Sequence, residues 1–251
     1  MKKPILIANW KMNLSLGERE GLAKELKSEL GKVSNKDIVV CPSTISLMQV
    51  AGILDTSNIL LGSQDVFWEE TGAYTGEVSP SILKDIDCRY AIIGHSERRQ
   101  LLGETDEMVN KKIGACLDNE LIPIFCIGET NKERNNNQTD NILLAQLRNG
   151  LKDVDITSDE SIVIAYEPVW SIGTGTVVEP DELQRVLETI KQTLVNMYPL
   201  TIVNNNVRMI YGGSINPDNV SGFSQLGLLD GFLVGGASLD ANKFKEIAKS
   251  L

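Results

Sequence analysis

Eight short apolar segments alternate with helical segments along this chain, and this alternation limits the possible folds more than any other sequence feature. Each apolar segment has four or five residues rich in Ile, Val and Leu, which is typical of strands buried on both faces of a parallel sheet. These segments are residues 5–9, 38–41, 59–63, 90–93, 122–126, 162–165, 207–211 and 231–234. Helical periodicity lies between them, at residues 16–30, 105–117, 142–151, 181–197 and 239–248.

This order of segments predicts an α/β fold in which helices cover one parallel sheet. Eight strand–helix repeats within 251 residues point to a single (β/α)8 barrel domain over residues 1–251, with eight parallel strands surrounded by helices. An open, doubly wound sheet is the alternative. Both folds bind ligands at the carboxyl ends of their strands, so we expect the functional residues to converge on one rim.

The composition excludes several classes of partner. A formal net charge of −10 disfavours nucleic acid and anionic membrane surfaces, and no run of about 18 apolar residues could span a bilayer. No apolar stretch with a cleavage site follows the first residues, so we expect a cytoplasmic protein. A small anionic substrate is compatible with this charge if a lysine or backbone amides supply positive potential locally.

The four cysteines, Cys41, Cys88, Cys116 and Cys126, have neither CxxC nor zinc-type spacing. Each lies in apolar or helical sequence, as buried and reduced thiols usually do. We therefore predict no catalytic cysteine.

The eleven-residue run that begins at Ala165 contains the strongest candidate for a catalytic group. A buried strand ends there at Glu167, and Pro168 stiffens the chain directly behind it. A carboxylate at a strand end can remove a proton from a carbon beside a carbonyl when water is excluded, because its basicity then rises. The following loop, with Ile172 at its tip and the amide of Gly173 free to meet a ligand, is predicted to close as a lid. A loop whose Gly and Pro only shape a turn is the alternative.

His95 is the only histidine of the chain, and it follows the fourth predicted strand. A donor at this position can polarise a carbonyl and carry a proton between two substrate oxygens during enolisation. Ser96 is predicted to cap a helix that starts at Glu97, whose amides would point at the imidazole and keep it neutral. A packed structural histidine is the alternative.

Two further groups of residues at strand ends could hold an anion. Asn9 and Lys11 end the first strand and could bring a hydrogen-bond donor and a positive charge to substrate oxygens. Ser214, Gly235 and Gly236 lie after strands seven and eight, where such barrels commonly bind phosphate through backbone amides. A solvated lysine and plain Gly-Gly turns are the alternatives.

These residues lie in seven motifs that resemble those of the triosephosphate isomerase family, in the family's order and over almost the whole chain. The motifs are Asn9-Trp10-Lys11, Gly72-Ala73-Tyr74-Thr75-Gly76-Glu77, Gly94-His95-Ser96-Glu97-Arg98-Arg99, Cys126-Ile127-Gly128-Glu129, the run from Ala165 to Gly175, Tyr211-Gly212-Gly213-Ser214 and Leu233-Val234-Gly235-Gly236-Ala237-Ser238. The resemblance implies a (β/α)8 TIM barrel that interconverts dihydroxyacetone phosphate and D-glyceraldehyde 3-phosphate through an enediol(ate), in glycolysis and gluconeogenesis, without a cofactor or metal.

The resemblance also assigns roles to the predicted site residues. Catalysis falls to Glu167, His95, Lys11 and Asn9, and binding of the triose phosphate to Asn9, Lys11, Gly173, Ser214, Gly235 and Gly236. Ser96 and Glu97 are implied to support them, with Glu97 as the acid beside Lys11. Thr75 is implied to lie in a loop that inserts into a second copy of the chain, which makes the protein a homodimer.

A few positions depart from the family pattern, and two other functions stay open. Ser171 and Thr176 stand where alanine and lysine are usual, and Asp65 follows Gln64 where asparagine is usual. These changes bear on the rate of lid motion and on the details of the interface, and they leave the reacting groups intact. A Schiff-base aldolase with Lys11 as its nucleophile is one rival. An inactive barrel that only binds metabolites or partners is the other, and the complete set of predicted catalytic residues argues against it.

Overall fold

A computed structural model gives the fold of residues 2–156, 162–171 and 177–251. Within these residues, eight parallel strands pair in chain order and close into one barrel. The strands are β1 (Ile5–Asn9), β2 (Asp37–Cys41), β3 (Ile59–Ser63), β4 (Cys88–Ile93), β5 (Ile122–Ile127), β6 (Ile162–Tyr166), β7 (Val207–Tyr211) and β8 (Gly231–Val234). Because β8 pairs with β1, with Ile5 opposite Gly231, the predicted closed barrel is confirmed and the open sheet is excluded.

Helices pack around the outside of this barrel. They are α1 (Leu16–Leu30), α2 (Leu47–Leu54), α3 (Pro80–Asp85), α4 (Ser96–Leu101), α5 (Asp106–Asp118), α6 (Asn131–Asn135), α7 (Thr139–Gly150), α8 (Pro180–Met197), α9 (Leu200–Asn206) and α10 (Ala241–Lys249). The five predicted helices correspond to α1, α5, α7, α8 and α10. The other five have eight residues or fewer, which is too short for a periodic apolar pattern to reveal them.

The ends of the helices follow local chemistry. α1 begins as predicted because Ser15 and Glu18 form a capping box, in which each side chain accepts a hydrogen bond from the backbone of the other. α7 begins three residues before the predicted start at 142. Its first turn, residues 139–141, is Thr-Asp-Asn and carries no apolar residue, so the helical period does not extend into it.

The side chains of each strand alternate between two apolar layers. In β1, Ile5 and Ile7 belong to the layer inside the barrel, while Leu6 and Ala8 pack between the sheet and the helices. Asn9 continues the inward series, so its amide faces the interior at the carboxyl end of the barrel. The four cysteines are buried free thiols, as the sequence predicted.

A buried ion pair closes the opposite, amino-terminal end of the barrel. Arg208 of β7 is 1% exposed, and its Nη2 lies 2.7 Å from Asp37 Oδ2 of β2 across the interior. A barrel of this kind binds its ligands at the carboxyl ends of the strands, opposite this ion pair. No helix in the described part of the chain is long and apolar enough to cross a membrane.

Candidate active site

A cavity of about 820 Å³ lies at the carboxyl ends of the strands, where the sequence predicted a site. Seven of the predicted site residues line this cavity: Asn9, Lys11, His95, Glu167, Ser214, Gly235 and Gly236. Glu97 lines it too, and Ser96 lines a smaller neighbouring cavity that also touches Glu167. Gly173 and the predicted lid tip, Ile172, lie outside the described residues. Thr75 is exposed in the loop between β3 and α3, away from the cavity.

Asn9 and Lys11 form the β1 side of the cavity. The backbone of Lys11 has a φ of 49°, which is a left-handed conformation that a lysine rarely adopts. It is held there from both sides, because its N–H donates to Asn9 Oδ1 at 3.0 Å and its carbonyl accepts from Gln64 Nε2 at 2.9 Å. The Nζ atom forms an ion pair with Glu97 Oε1 at 2.6 Å, so the predicted partner of Lys11 is its neighbour in the structure.

His95 itself caps α4, which corrects the prediction that Ser96 would be the cap. The Nδ1 atom of His95 accepts a hydrogen bond from the Glu97 N–H at 3.2 Å, and Ser96 is the first residue of the helix. The ring can take this role because His95 directly precedes the helix and its Nδ1 reaches the free amide of the first turn. A backbone amide does therefore point at the imidazole, as predicted, and it leaves Nε2 to carry the ring proton.

Glu167 is 2% exposed and is held by the two residues that open α4. Its Oε1 lies 3.1 Å from His95 Nε2, and its Oε2 accepts from the Ser96 N–H at 3.0 Å. The backbone N–H of Glu167 donates to Ile127 O at 2.7 Å, which fixes the start of the loop against β5. The carboxylate and the imidazole are thus in direct contact in the structure.

This contact shifts the pKa values of the two acid–base groups in opposite directions. Burial raises the pKa of Glu167, but His95 and the Ser96 amide outweigh it and hold that pKa below the ordinary value of a glutamate. Burial lowers the pKa of His95, but the Glu167 carboxylate outweighs it and raises the pKa of the ring. In the ligand-free arrangement the basicity of Glu167 is therefore not raised, because the carboxylate bonds to His95, a contact that the sequence could not reveal. The rise predicted for a water-excluded site under the lid stays a prediction.

Buried charges hold the residue before His95. Gly94 has a φ of 71°, and its N–H donates to Glu104 Oε2 at 3.1 Å. Lys112, which is 1% exposed, forms ion pairs with Glu104 and with Asp65 Oδ1, the latter at 2.6 Å. Arg98 Nη2 adds a second ion pair to Asp65 at 2.7 Å. Burial raises the pKa of Asp65, and these two cations offset part of that rise. Sequence reasoning missed this cluster because its members are far apart in the chain.

The glycines that follow β7 and β8 leave room for the functional side chains. A Cβ atom on Gly212 would lie 2.9 Å from Glu167 Cγ, so a side chain at this position would displace the carboxylate. A Cβ on Gly235 would lie 3.4 Å from Lys11 Cε, and one on Gly236 would meet nothing within 4 Å. The amides of these loops can consequently approach a ligand closely.

A second buried carboxylate anchors the chain just beyond Glu167. Glu129 accepts hydrogen bonds from Tyr166 Oη at 3.2 Å and from Trp170 Nε1 at 2.8 Å. Burial raises the pKa of Glu129. The guanidinium of Arg134 stacks on the Trp170 ring, with Cζ 4.0 Å from the ring centroid. The segment that leads into the predicted lid is thereby fixed to β5 and α6.

Four polar residues at the rim of the cavity escaped the sequence analysis. Asn13 follows β1, Asn216 and Asp218 follow β7, and Lys243 lies in the first turn of α10. Their only sequence signal is a position a few residues beyond a strand end, which many surface residues share. Tertiary folding alone reveals that they face the same space as Glu167.

The arrangement suits proton transfer beside an oxyanion. A buried carboxylate and an imidazole N–H lie side by side in the cavity, and a lysine ammonium lines the same space. In the described part of the chain, no group of three or more His, Cys, Asp or Glu side chains could hold a metal ion.

Comparison with known proteins agrees with this geometry. A family model described as triosephosphate isomerase matches residues 4–251. A triosephosphate isomerase of Endomicrobium trichonymphae is 47% identical over 249 residues, which cover 99% of this chain and 99% of that protein. A relative of the same name from Dictyoglomus turgidum is 44% identical, with 100% of both chains covered. Another, from Caldanaerobacter subterraneus subsp. tengcongensis, is 46% identical, with 98% of this chain and 99% of that protein covered.

The contact with Glu167 predicts how His95 titrates. In the ligand-free protein, Glu167→Gln should lower the pKa of His95, because the variant removes the negative charge that stabilises the imidazolium while keeping the side-chain size. Nitrogen-15 NMR of the only histidine measures the midpoint directly. Glu182→Gln, on α8, serves as a control that should leave the midpoint unchanged. An equal or higher midpoint in Glu167→Gln would contradict the account of this pair.

Proposed function

Because this chain belongs to the triosephosphate isomerase family, we propose that the rim cavity is the active site at which dihydroxyacetone phosphate and D-glyceraldehyde 3-phosphate are interconverted through an enediol(ate). The observation that carries this proposal is the buried contact between the Glu167 carboxylate and His95 Nε2, at 3.1 Å, in a cavity that Lys11 also lines. The reaction needs only proton transfers, so it requires no cofactor or metal.

Glu167 acts as the general base that moves the proton between the two carbons. To reach a carbon it must give up its hydrogen bonds to His95 and Ser96, which hold its pKa low in the ligand-free protein. Losing these bonds in a buried site leaves burial as the main influence, and burial raises the basicity of a carboxylate. Binding of substrate thus turns a stabilised carboxylate into a stronger base.

His95 serves as the proton donor to the two substrate oxygens. Its Nδ1 is occupied by the Glu97 amide, so Nε2 carries the proton that faces the cavity. Lys11 and Asn9 stabilise the negative charge that develops on these oxygens. Glu97 orients Lys11 through their ion pair, and Ser96 holds Glu167 until the substrate arrives.

The phosphate group binds to backbone amides in the loops after β7 and β8. Ser214, Gly235 and Gly236 line the cavity on that side, and the glycines present open backbone to it. Gly173 is proposed to add a further amide from the lid. Residues 1–251 are proposed to act as one domain, and pairing of the last strand with the first supports this.

The aldolase rival fits the site less well. A Schiff base requires a free amine, whereas Lys11 Nζ lies 2.6 Å from a carboxylate and is best described as an ammonium in an ion pair. An inactive barrel would not need the left-handed backbone at Lys11 or a buried Glu167. Borohydride treatment with substrate separates the two enzymes, since only an aldolase would be trapped covalently.

We propose that the protein is a homodimer that joins through the loops after β1 to β4. Large apolar side chains on these loops and their short helices are exposed: Met12 (93%), Ile45 (78%), Met48 (77%), Tyr74 (44%), Ile82 (59%), Leu101 (77%) and Leu102 (67%). Solvent-exposed apolar side chains on four adjacent loops are typical of an interface. Thr75 lies next to Tyr74 in this set and is proposed to contact the second copy. The charge of −10 supports the proposal that neither nucleic acid nor an anionic membrane is a partner. A cytoplasmic location is proposed from membership of the triosephosphate isomerase family.

Shortening the proposed base tests the assigned chemistry. Glu167→Asp should lower kcat by on the order of 10²-fold, because the carboxylate moves back by about 1 Å. A coupled isomerase assay measures the rate with each triose phosphate. Glu188→Asp, on the outer face of α8, is the control and should be fully active. Near-normal turnover of Glu167→Asp would remove Glu167 from the mechanism, and an inactive parent would refute the proposed function.

A substitution at Gly212 tests the placement of the Glu167 carboxylate without changing Glu167 itself. Gly212→Ala should lower kcat by about tenfold, because the added methyl group displaces Glu167 from its position. Gly222→Ala adds a methyl group where nothing lies within 4 Å and should behave as the parent does. Urea unfolding checks that both variants are stably folded. Equal kcat values in the two folded variants would contradict the proposed displacement of Glu167.

The homodimer is tested at the exposed loop between β3 and α3. Thr75→Arg should weaken dimerisation and lower activity in parallel, because a charged side chain replaces a small one at the proposed interface. Analytical ultracentrifugation and the isomerase assay are run on the same samples. Thr201→Arg, on α9 at the far side of the barrel, is the matched control. A Thr75→Arg monomer with full turnover would mean that the second copy does not support the site.

A further inference from the structure

The summed charge of the side chains that line the cavity does not favour binding of an anion. Two lysines, Lys11 and Lys243, face three carboxylates, those of Glu97, Glu167 and Asp218. The whole chain carries a formal net charge of −10, so the field around the protein repels a dianion before it reaches the cavity. A local excess of positive charge is needed at the entrance.

The two lysines are not equivalent. Lys11 is committed to Glu97, with Nζ and Oε1 2.6 Å apart. Lys243 is exposed, and no carboxylate among the described residues lies within ion-pair distance of its Nζ. The nearby cap residue, Asp240, directs its carboxylate to the backbone N–H groups of Asn242 and Lys243. Lys243 is therefore the uncompensated cation of the cavity wall.

The position of Lys243 matches the end of the cavity that would hold phosphate. It lies in the first turn of α10, seven residues beyond Gly236. Gly236 opens the short 3₁₀ turn Gly236–Leu239 that joins β8 to α10. A long, flexible side chain from this helix can reach an anion at the rim before the ligand meets the backbone amides.

We propose that Lys243 speeds the binding of phosphorylated substrates by drawing the phosphate dianion into the cavity, towards Gly235 and Gly236. This inference rests on the proposed function, because it takes a triose phosphate as the ligand. Lys243 acts through its charge during association and has no part in the proton transfers. Its effect should therefore appear in kcat/KM and depend on ionic strength.

Neutralising the lysine tests this role. At about 10 mM ionic strength, Lys243→Gln should have a kcat/KM about threefold below that of the parent, with kcat unchanged. The difference should disappear at about 0.5 M salt, where the screening length is only a few ångströms. A kcat/KM equal to that of the parent at low salt would overturn the proposal. So would a loss that persists at high salt, because it would indicate a direct contact rather than attraction at a distance.

Three further variants make the test specific to charge at this rim. Lys243→Arg keeps the charge and should restore the parent kcat/KM. Asp218→Asn removes a negative charge from the same cavity wall and should raise kcat/KM at low salt, the opposite effect. Lys32→Gln makes the same change in net charge at an exposed position beyond α1, at the amino-terminal end of the barrel, and should leave kcat/KM unchanged. Equal effects of Lys32→Gln and Lys243→Gln would reduce the result to net charge and overturn the proposal.

Binding of inorganic phosphate gives a readout that does not depend on catalysis. Calorimetry should give weaker phosphate binding for Lys243→Gln than for the parent at low salt, and equal binding at high salt. This result would support the site even if the parent lacked isomerase activity, whereas equal binding at low salt would overturn it. Failure of the proposed function and failure of this inference are thereby distinguished.

Discussion

Closure of the barrel by β1 and β8 is the constraint on which the rest of the structure depends. At this seam, a Cβ atom on Gly231 would lie only 1.7 Å from the carbonyl oxygen of Ile5, so the two strands can pair only because the residue is glycine. The same pairing places Gly235, just beyond β8, so close to Lys11, just beyond β1, that a Cβ atom on Gly235 would lie 3.4 Å from Lys11 Cε. The first and last motifs of the chain thereby become neighbours in one cavity.

The central pair of that cavity is held in a resting arrangement. Glu167 and His95 each satisfy the other's polar atom, and each shifts the pKa of the other towards the charged form. A carboxylate stabilised in this way is a weak base, so the contacts that keep it ordered also oppose its chemistry. A substrate that inserts between the two groups removes that opposition, and the free energy of substrate binding must offset the lost hydrogen bonds.

Side-chain hydrogen bonds hold two backbone positions with positive φ beside the functional groups. Lys11, which carries a functional ammonium group, has a φ of 49°, and Gly94, which precedes His95, has a φ of 71°. Asn9 and Gln64 hold the first, and the buried cluster around Glu104 holds the second. A lysine in the left-handed region is strained and persists there only where its surroundings determine it this strongly, which is typical of functional sites, whereas a glycine adopts a positive φ without strain. The cluster also ties the loop after β3, through Asp65, to the strand end that carries His95.

Local patterns in the sequence determined the strands, the long helices and the functional motifs, because apolar periodicity and strand-end position are properties of neighbouring residues. β1, β3, β7 and β8 have the predicted bounds, and eight of the predicted site residues line one cavity. Only the tertiary structure decided that His95 caps α4, that Glu167 rests against it with a lowered pKa, and that Asp218 and Lys243 share its cavity. The last two outcomes depend on contacts between groups separated by tens of residues or more, and such contacts exist only after the barrel has closed. The cap is a local contact, but the apolar pattern of the sequence does not show which side chain turns back to the first helical amide.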